Sequence, residues 1–244
     1  MSDAFGWEFI DLASAPPLLP GEVHIYATRL SPDPEWQTTF GRVLDTDESE
    51  RAARFRFDED RYRFQKTRAA LRLIIGHYLA TAAERIDFRE GSHGKPYLKD
   101  PGTDLQFNVS HTKGAAVLAF AHDVEIGIDI EHARRKVDVE GVGRRVFTRL
   151  EQDGLRKLGE ASALREFFRL WTAKEAYLKA TGSGLSVDPA SIEANLERGQ
   201  FSPAGDELER LPYALKELET ANHFQVCIAH QDCAPPSFRM TEFR

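Results

Sequence analysis

Ile126-Gly127-Ile128-Asp129-Ile130-Glu131 is the stretch from which the rest of the chain is best read. Side chains along a β-strand alternate between its two faces. Ile126, Ile128 and Ile130 therefore share one face, and Gly127, Asp129 and Glu131 share the other. The first face asks for a core; the second projects two carboxylates together. Neighbouring negative charges repel unless a cation lies between them, and a hard divalent ion such as Mg²⁺, which prefers oxygen ligands, suits that place. A strand with one ordinary solvent face gives the same pattern, so this stretch alone leaves both readings open.

Outward from it, strand-like runs precede it at Leu105 to Ser110 and Ala115 to Ala121, and the quoted strand itself extends over Val124 to Glu131. Further upstream come Val23 to Ala27 as a strand, a helical segment from about Asp47 to Phe57, and a longer one from about Asp60 to Ala83. In the longer helix Phe64, Leu71, Ile74, Ile75, Tyr78, Leu79 and Ala82 fall on one face. Downstream, Thr148 and Glu151 have the spacing of a capping box, and a helix over about Arg165 to Ala180 is closed by Gly182. Strands are expected near Ser191 to Leu196 and Phe224 to Ala229. Each half thus carries strands and helices, which predicts an α+β fold of two pseudo-symmetric subdomains. The expected division is an extension over 1–22, a first subdomain over 23–122 and a second over 123–244.

Composition narrows the function. The chain has 244 residues, 41% of them hydrophobic, and a formal charge of -7. That charge argues against a general nucleic-acid binder, which needs a basic face to displace counterions. No apolar run approaches the roughly 20 residues of a membrane helix, and no basic or apolar leader follows Met1, so a soluble, cytoplasmic protein is expected. Cys227 and Cys233 cannot form a disulfide framework. With His230 they would supply three zinc ligands, but no fourth has the usual spacing, and Cys227 as a buried, inert thiol is the preferred reading.

Against the acidic whole, residues 51–72 hold Arg51, Arg54, Arg56, Arg61, Arg63, Lys66, Arg68 and Arg72 but only Asp58, Glu59 and Asp60, an excess of five positive charges. Such a run is either a phosphate-binding surface or a solvated helix face. In Trp171-Thr172-Ala173-Lys174-Glu175-Ala176-Tyr177-Leu178-Lys179, Glu175 and Lys179 share a helix face while Lys174 lies about 100° round from Glu175. Glu175 can complete a set of three carboxylates, or it can simply form a surface pair with Lys179. The Gly182-Ser183-Gly184 run follows a helix, whose C-terminal end repels anions, so it reads as a cap. His111, in Asn108-Val109-Ser110-His111-Thr112, fits a general base, a phosphate donor or a packed ring. Ser110 beside it points to the opposite strand face, and the absence of a Gly-x-Ser-x-Gly elbow argues against a serine hydrolase.

In this order, Gly94-Lys95-Pro96, Phe107-Asn108-Val109-Ser110-His111, Gly127-Ile128-Asp129-Ile130-Glu131 and the Trp171–Lys179 segment with Gly182 and Leu185 resemble the Sfp-type 4′-phosphopantetheinyl transferases. The basic segments Glu50–Phe55 and Arg68–Arg72 precede them as they do in that family, and the likeness covers about residues 25 to 190. The resemblance implies a monomer that binds coenzyme A in the cleft between its halves. It also implies Mg²⁺ as cofactor and the serine of an apo carrier protein (acyl, peptidyl or aryl) as phosphopantetheine acceptor, with release of 3′,5′-ADP.

By position it implies that Asp129, Glu131 and Glu175 hold the metal, and that Ser110, His111, Lys95, Lys174 and Lys179 bind the cofactor. Arg51 is implied for the 3′-phosphate, with Arg68 and Arg72 as further basic contacts. Glu175, Lys179 and His111 are the catalytic candidates, Glu175 as the base for the serine proton. The segment after Lys179, with Leu185 and Val187, matches the part that meets the carrier. One departure stands out: Glu48 occupies a position that is basic in some members.

Overall fold

The three isoleucines of the quoted strand are 0–1% exposed, and the layer they enter lies between two β-sheets. The computed structural model describes residues 5–11, 14–91, 94–99, 102–206, 208–232 and 236–243. Its elements run β1 Glu8–Phe9, β2 Glu22–Arg29, α1 Pro34–Val43, α2 Thr46–Ala53, α3 Asp58–Tyr78, β3 Phe88–Glu90, β4 Pro96–Leu98, β5 Leu105–Thr112, β6 Ala115–His122 and β7 Ile126–His132 in the first half and its border. They continue with α4 Val139–Val146, α5 Arg149–Arg156, α6 Glu160–Thr181, β8 Ile192–Asn195, β9 Gln200–Pro203, β10 Tyr213–Leu218, β11 Phe224–Gln231 and β12 Ser237–Phe243. One sheet has the order β1-β12-β2-β6-β5 and the other β7-β11-β10-β9-β8, with β3 and β4 as a separate hairpin.

Period-two patterning builds the layers. In β2 and β6, Val23, Ile25, Ala27, Ala115, Val117, Ala119 and Ala121 face the second sheet, whose Ile126, Ile128, Ile130, Val226 and Ile228 meet them. Tyr26, Leu118 and Phe120 point the other way, onto Leu71, Ile74 and Ile75 of α3. On the far side, Cys227 and Ala229 of β11 face Phe168, Ala173, Ala176 and Ala180 of α6. The result is helix, sheet, sheet, helix, with one long helix backing each sheet. This is the α+β arrangement expected from the sequence.

Several expectations shift. The second helix ends at Ala53, because Asp45 and Glu48 form its capping box upstream and the next helix begins at Asp58. The long helix stops at Tyr78, so Ala82 is exposed rather than part of the apolar face; Ala80 takes a positive φ of 48° just past the end. The helix carrying Glu175 begins at Glu160, earlier than Arg165, and closes on Gly182 in the left-handed region (φ 66°), where glycine costs least.

The chain division also differs. The last strand, β12, leaves the second half and pairs parallel with β2, and β1 of the N-terminal extension pairs with β12. The extension is therefore woven into the body: Phe5 stacks on Phe224, and the Trp7 indole donates to the Glu219 carbonyl at 2.8 Å. Cys227 is fully buried and burial pushes its thiol well above the ordinary range, which makes it inert; Cys233 lies outside the described residues.

Candidate active site

β5 and β7 are the facing edge strands of the two sheets. No backbone ladder joins them; polar side chains do. Asn108 Oδ1 accepts from the Ile128 N–H at 2.9 Å, Ser110 Oγ donates to Asp129 Oδ1 at 2.8 Å, and Thr112 Oγ1 donates to Glu131 Oε2 at 3.3 Å. These three lie two residues apart on one face of β5, while Leu105, Phe107 and Val109 pack onto the core behind α3. A strand edge left without a partner is normally a liability. Here it forms the floor of a cleft.

Gly127 sets the third wall. A Cβ there would lie 2.1 Å from the Ala176 carbonyl oxygen and 2.2 Å from the Ala180 nitrogen, so α6 rests its backbone directly on β7. That close approach carries Glu175 and Lys179 to the carboxylates. Lys179 Nζ donates to Asp129 Oδ1 at 2.6 Å and to Ser110 Oγ at 2.8 Å. Asp129 Oδ2 is buried and has no hydrogen-bond partner, a costly condition for a carboxylate oxygen. Glu131 accepts from Arg135 at 3.0 Å.

Burial raises the pKa of both Glu131 and Glu175, and the negative charge of Asp129 adds to each. The three carboxylates thus repel one another across a shared space, although among the described residues no three acidic, His or Cys side chains are closed up into a chelating cluster. Lys95, Asn108, Val109, Glu175, Leu178 and Lys179 line a pocket of about 270 Å³ at this place. A larger hollow of about 730 Å³ lies by α5, α6 and β9; it is also lined by glutamates, but its Glu166 pairs with Arg169 at 2.7 Å and its Glu151 with Lys174 at 2.5 Å.

The remaining candidates separate. His111 is exposed on the opposite face of β5, towards α3. Desolvation, followed by the positive charges of Arg63 and Lys179, lowers its pKa, so the imidazole is neutral near pH 7 and can donate from one nitrogen. Arg51 is open to solvent, 3.6 Å from Glu90 and 5.1 Å from the Phe64 ring centre. Lys95 Nζ donates to the Ala180 carbonyl at 3.1 Å and the Ile126 carbonyl at 3.4 Å.

Two expected cofactor ligands are elsewhere. Lys174 is 2% exposed, pairs with Glu151 at 2.5 Å and donates to the Val146 and Pro189 carbonyls, because the 100° step from Glu175 turns it into the core. Arg72 is 0% exposed; it binds Asp45 and Glu48 and the carbonyls of Ala83 and Ile86. Arg68 also pairs with Glu48 and lies 3.9 Å over the Phe88 ring, leaving it partly open. Glu48 therefore serves as the buried counter-charge of these two arginines and the closing member of a capping box.

Asn108, Thr112 and Arg135 join the site without having been singled out in the sequence. The first two had a signal, since Asn108, Ser110 and Thr112 fall on one strand face while Phe107 and Val109 fall on the other; Arg135 sits in a basic loop that reads like any other.

The raised pKa of Glu175 has a testable sign. Its folded value lies above the ordinary 4.5, so the folded chain binds this proton more tightly than the unfolded one. The resulting penalty is absent below the ordinary value, grows as pH rises through the folded value and is full at neutrality. Glu175→Gln should raise the melting temperature near neutral pH by roughly 2–4 °C, the effect of about 1 kcal/mol in a chain of this size. The gain should shrink on acidification towards the ordinary carboxylate range. An unchanged or lower melting temperature at neutrality would show that Glu175 is not under this repulsion.

Comparison with known proteins gives the family. The profile described as 4′-phosphopantetheinyl transferase superfamily matches residues 125–229, and that of 4′-phosphopantetheinyl transferase, N-terminal, matches residues 30–123. The chain is 37% identical over 201 residues to the 4′-phosphopantetheinyl transferase HetI of Nostoc sp., covering 80% of this chain and 85% of that protein. It is 29% identical over 196 residues to the 4′-phosphopantetheinyl transferase Sfp of Bacillus subtilis, covering 79% and 85%. With the L-aminoadipate-semialdehyde dehydrogenase-phosphopantetheinyl transferase of Mus musculus it shares 30% identity over 218 residues, covering 80% and 69%.

Proposed function

The chain belongs to the 4′-phosphopantetheinyl transferase superfamily, and from that premise we propose that it moves the phosphopantetheine arm of coenzyme A onto a serine of an apo carrier protein. The observation that carries the reading is the junction of β5, β7 and α6, where Asp129, Glu131 and Glu175 face one another with Lys179 and Ser110 between the sheets.

This donor set fits Mg²⁺. Three carboxylates supply hard oxygen ligands, two are kept from ionising freely by burial and mutual repulsion, and Asp129 Oδ2 is left without any protein partner. Asp129, Glu131 and Glu175 would hold the ion, which when bound offsets negative charge on a pyrophosphate.

The chain's own groups do the rest. The Lys179 ammonium, held by Asp129 and Ser110 on the pocket lining, is placed to meet phosphate oxygens, and neutral His111 donates from the α3 side, near Arg63. Glu175, with its pKa raised towards neutrality, is suited to accept the proton of the attacking serine hydroxyl. The serine oxygen bonds to the β-phosphorus, the bond to the bridging oxygen breaks, and 3′,5′-ADP leaves. No nucleophile from this chain is needed, which agrees with the inert Cys227 and with a Ser110 already committed to Asp129 and Lys179.

The carrier enters over the segment that follows Lys179, where Val187 is partly buried against the C-terminal core; the side chain of Leu185 lies outside the described residues. Among the described residues no helix is long and apolar enough to cross a membrane. A cytoplasmic monomer is the setting this reading adopts.

Intact-protein mass spectrometry tests it. An apo carrier incubated with this chain, coenzyme A and Mg²⁺ should gain about 340 Da, the mass of the phosphopantetheine arm, and EDTA should prevent the gain. Several unrelated apo carriers left unmodified would overturn the proposal.

A further inference from the structure

On the cleft side the two sheets are tied by the polar bridges from β5 to β7. At the other end of the first sheet lie β12 and β1, and there the N-terminal segment crosses from one sheet to the other. Its later part belongs to the first sheet: Glu8 and Phe9 pair with Thr241 and Glu242, the Ile10 N–H donates to the Glu242 carbonyl at 3.0 Å, and the Phe5 N–H donates to the buried Glu242 carboxylate at 3.2 Å. Its earlier part grips the second sheet at the turn between β10 and β11. The Phe5 carbonyl accepts from the Ala221 N–H at 2.9 Å, the Trp7 indole donates to the Glu219 carbonyl at 2.8 Å, and the Phe5 ring, 1% exposed, stacks on Phe224 at 5.1 Å. Gly6, between the two aromatic residues, takes a φ of 73° that favours glycine and lets the backbone make this crossing.

We propose that Phe5 is a positioning residue for the acidic site: its segment straps the first sheet to the β10–β11 turn and, through that turn, fixes the end of β7 that presents Glu131. The turn itself needs support. Asn222 and His223 both take a positive φ (58° and 66°), a conformation that side chains resist and that persists where the surroundings impose it. What the supported turn holds is the exit of β7. The Ala133 N–H donates to the His223 carbonyl at 2.8 Å, and the His132 ring, paired in register with Phe224, meets that ring edge-on at 5.5 Å. Contact therefore runs from Phe5 through Phe224 to His132, the residue after Glu131. Thr112 reaches Glu131 from the cleft side and Arg135 from the loop that leaves the same bend, so the direction of its carboxylate depends on where β7 ends.

The inference rests on reading Asp129, Glu131 and Glu175 as the metal site, and the experiment keeps the two apart. Calorimetric titration with Mg²⁺ alone and hydrogen–deuterium exchange of the ligand-free protein are run on the full-length wild type, Phe5→Ala, Trp7→Phe and Leu71→Ala, at a temperature where each is folded. Phe5→Ala should speed exchange in residues 131–135 and 219–225 and weaken Mg²⁺ binding about tenfold. Trp7→Phe keeps an aromatic ring in the layer and removes the bond to Glu219; it should shift both readings in the same direction by about two- to threefold, and it carries the test if Phe5→Ala does not fold. Leu71→Ala empties part of the core behind α3 and should lower the melting temperature without changing Mg²⁺ affinity. A wild type that takes up no Mg²⁺ overturns the reading of the acidic site, and the inference with it. Undiminished Mg²⁺ affinity in both strap variants overturns the inference alone. So does a loss of affinity in Leu71→Ala as large as that in Phe5→Ala, because Phe5 would then serve stability and nothing more.

Discussion

Gly127→Ala should lower the melting temperature by roughly 10 °C or more and, where the protein remains folded, cut transfer at least about a hundredfold. The reason is contact between backbones. The added methyl carbon would lie 2.1 Å from the Ala176 oxygen, 2.2 Å from the Ala180 nitrogen and 2.8 Å from the Lys179 carbonyl carbon. No flexible side chain stands there to give way, so α6 has to move. Overpacking in a core costs typically about 1–3 kcal/mol, and a clash with a helix backbone belongs at or above the top of that range.

The same movement separates Glu175 and Lys179 from Asp129, and a shift of about 1 Å is enough to disable a positioned site. Gly154→Ala is the control: it lies within α5 with nothing within 4 Å of the added carbon, and should be neutral or slightly stabilising. A Gly127→Ala protein melting within about 2 °C of wild type and fully active would refute the account of how α6 is seated.

Much of the site's logic was legible in residues 126–131. Alternation assigned the isoleucines to a core and Asp129 and Glu131 to the opposite face, and both sit as the period demands. Gly127 was read only as a member of that face; its need to have no side chain became visible when α6 was seen lying on it.

Helical periodicity placed Glu175 and Lys179 together but could not tell which side of α6 met the cleft. Lys174, one residue before, was assigned to cofactor binding and proved to be the buried partner of Glu151. The basic run over 51–72 was legible as charge but not as function. Whether an arginine faces solvent or a carboxylate depends on Glu48, which lies upstream and turns inward. Strand order was the least legible feature, because the return of β12 to the first sheet is decided by long-range packing of Phe243 among Tyr26 and Trp36.

Asp129→Asn should leave the protein folded and at least as stable as wild type, yet reduce transfer by roughly 10²- to 10³-fold. The amide has nearly the same shape, so Ser110 and the cleft floor keep their packing. Removing one of three mutually repelling carboxylates relieves Glu131 and Glu175, both of which feel its charge. The substitution therefore separates stability from function, which a residue serving only the fold would not do.

Two consequences divide the possible causes of the lost activity. If Asp129 contributes its orphaned Oδ2 to a metal, Mg²⁺ should raise the melting temperature of the wild type but not of Asp129→Asn. If Asp129 acts only by holding Lys179, to which it lies 2.6 Å away, the Mg²⁺-induced shift should survive the substitution while turnover still falls. Full transfer activity in a well-folded Asp129→Asn protein would remove this residue from the machinery altogether. The assignment of the site would then have to rest on Glu131 and Glu175, two carboxylates whose raised pKa values would owe more to burial than to a shared task.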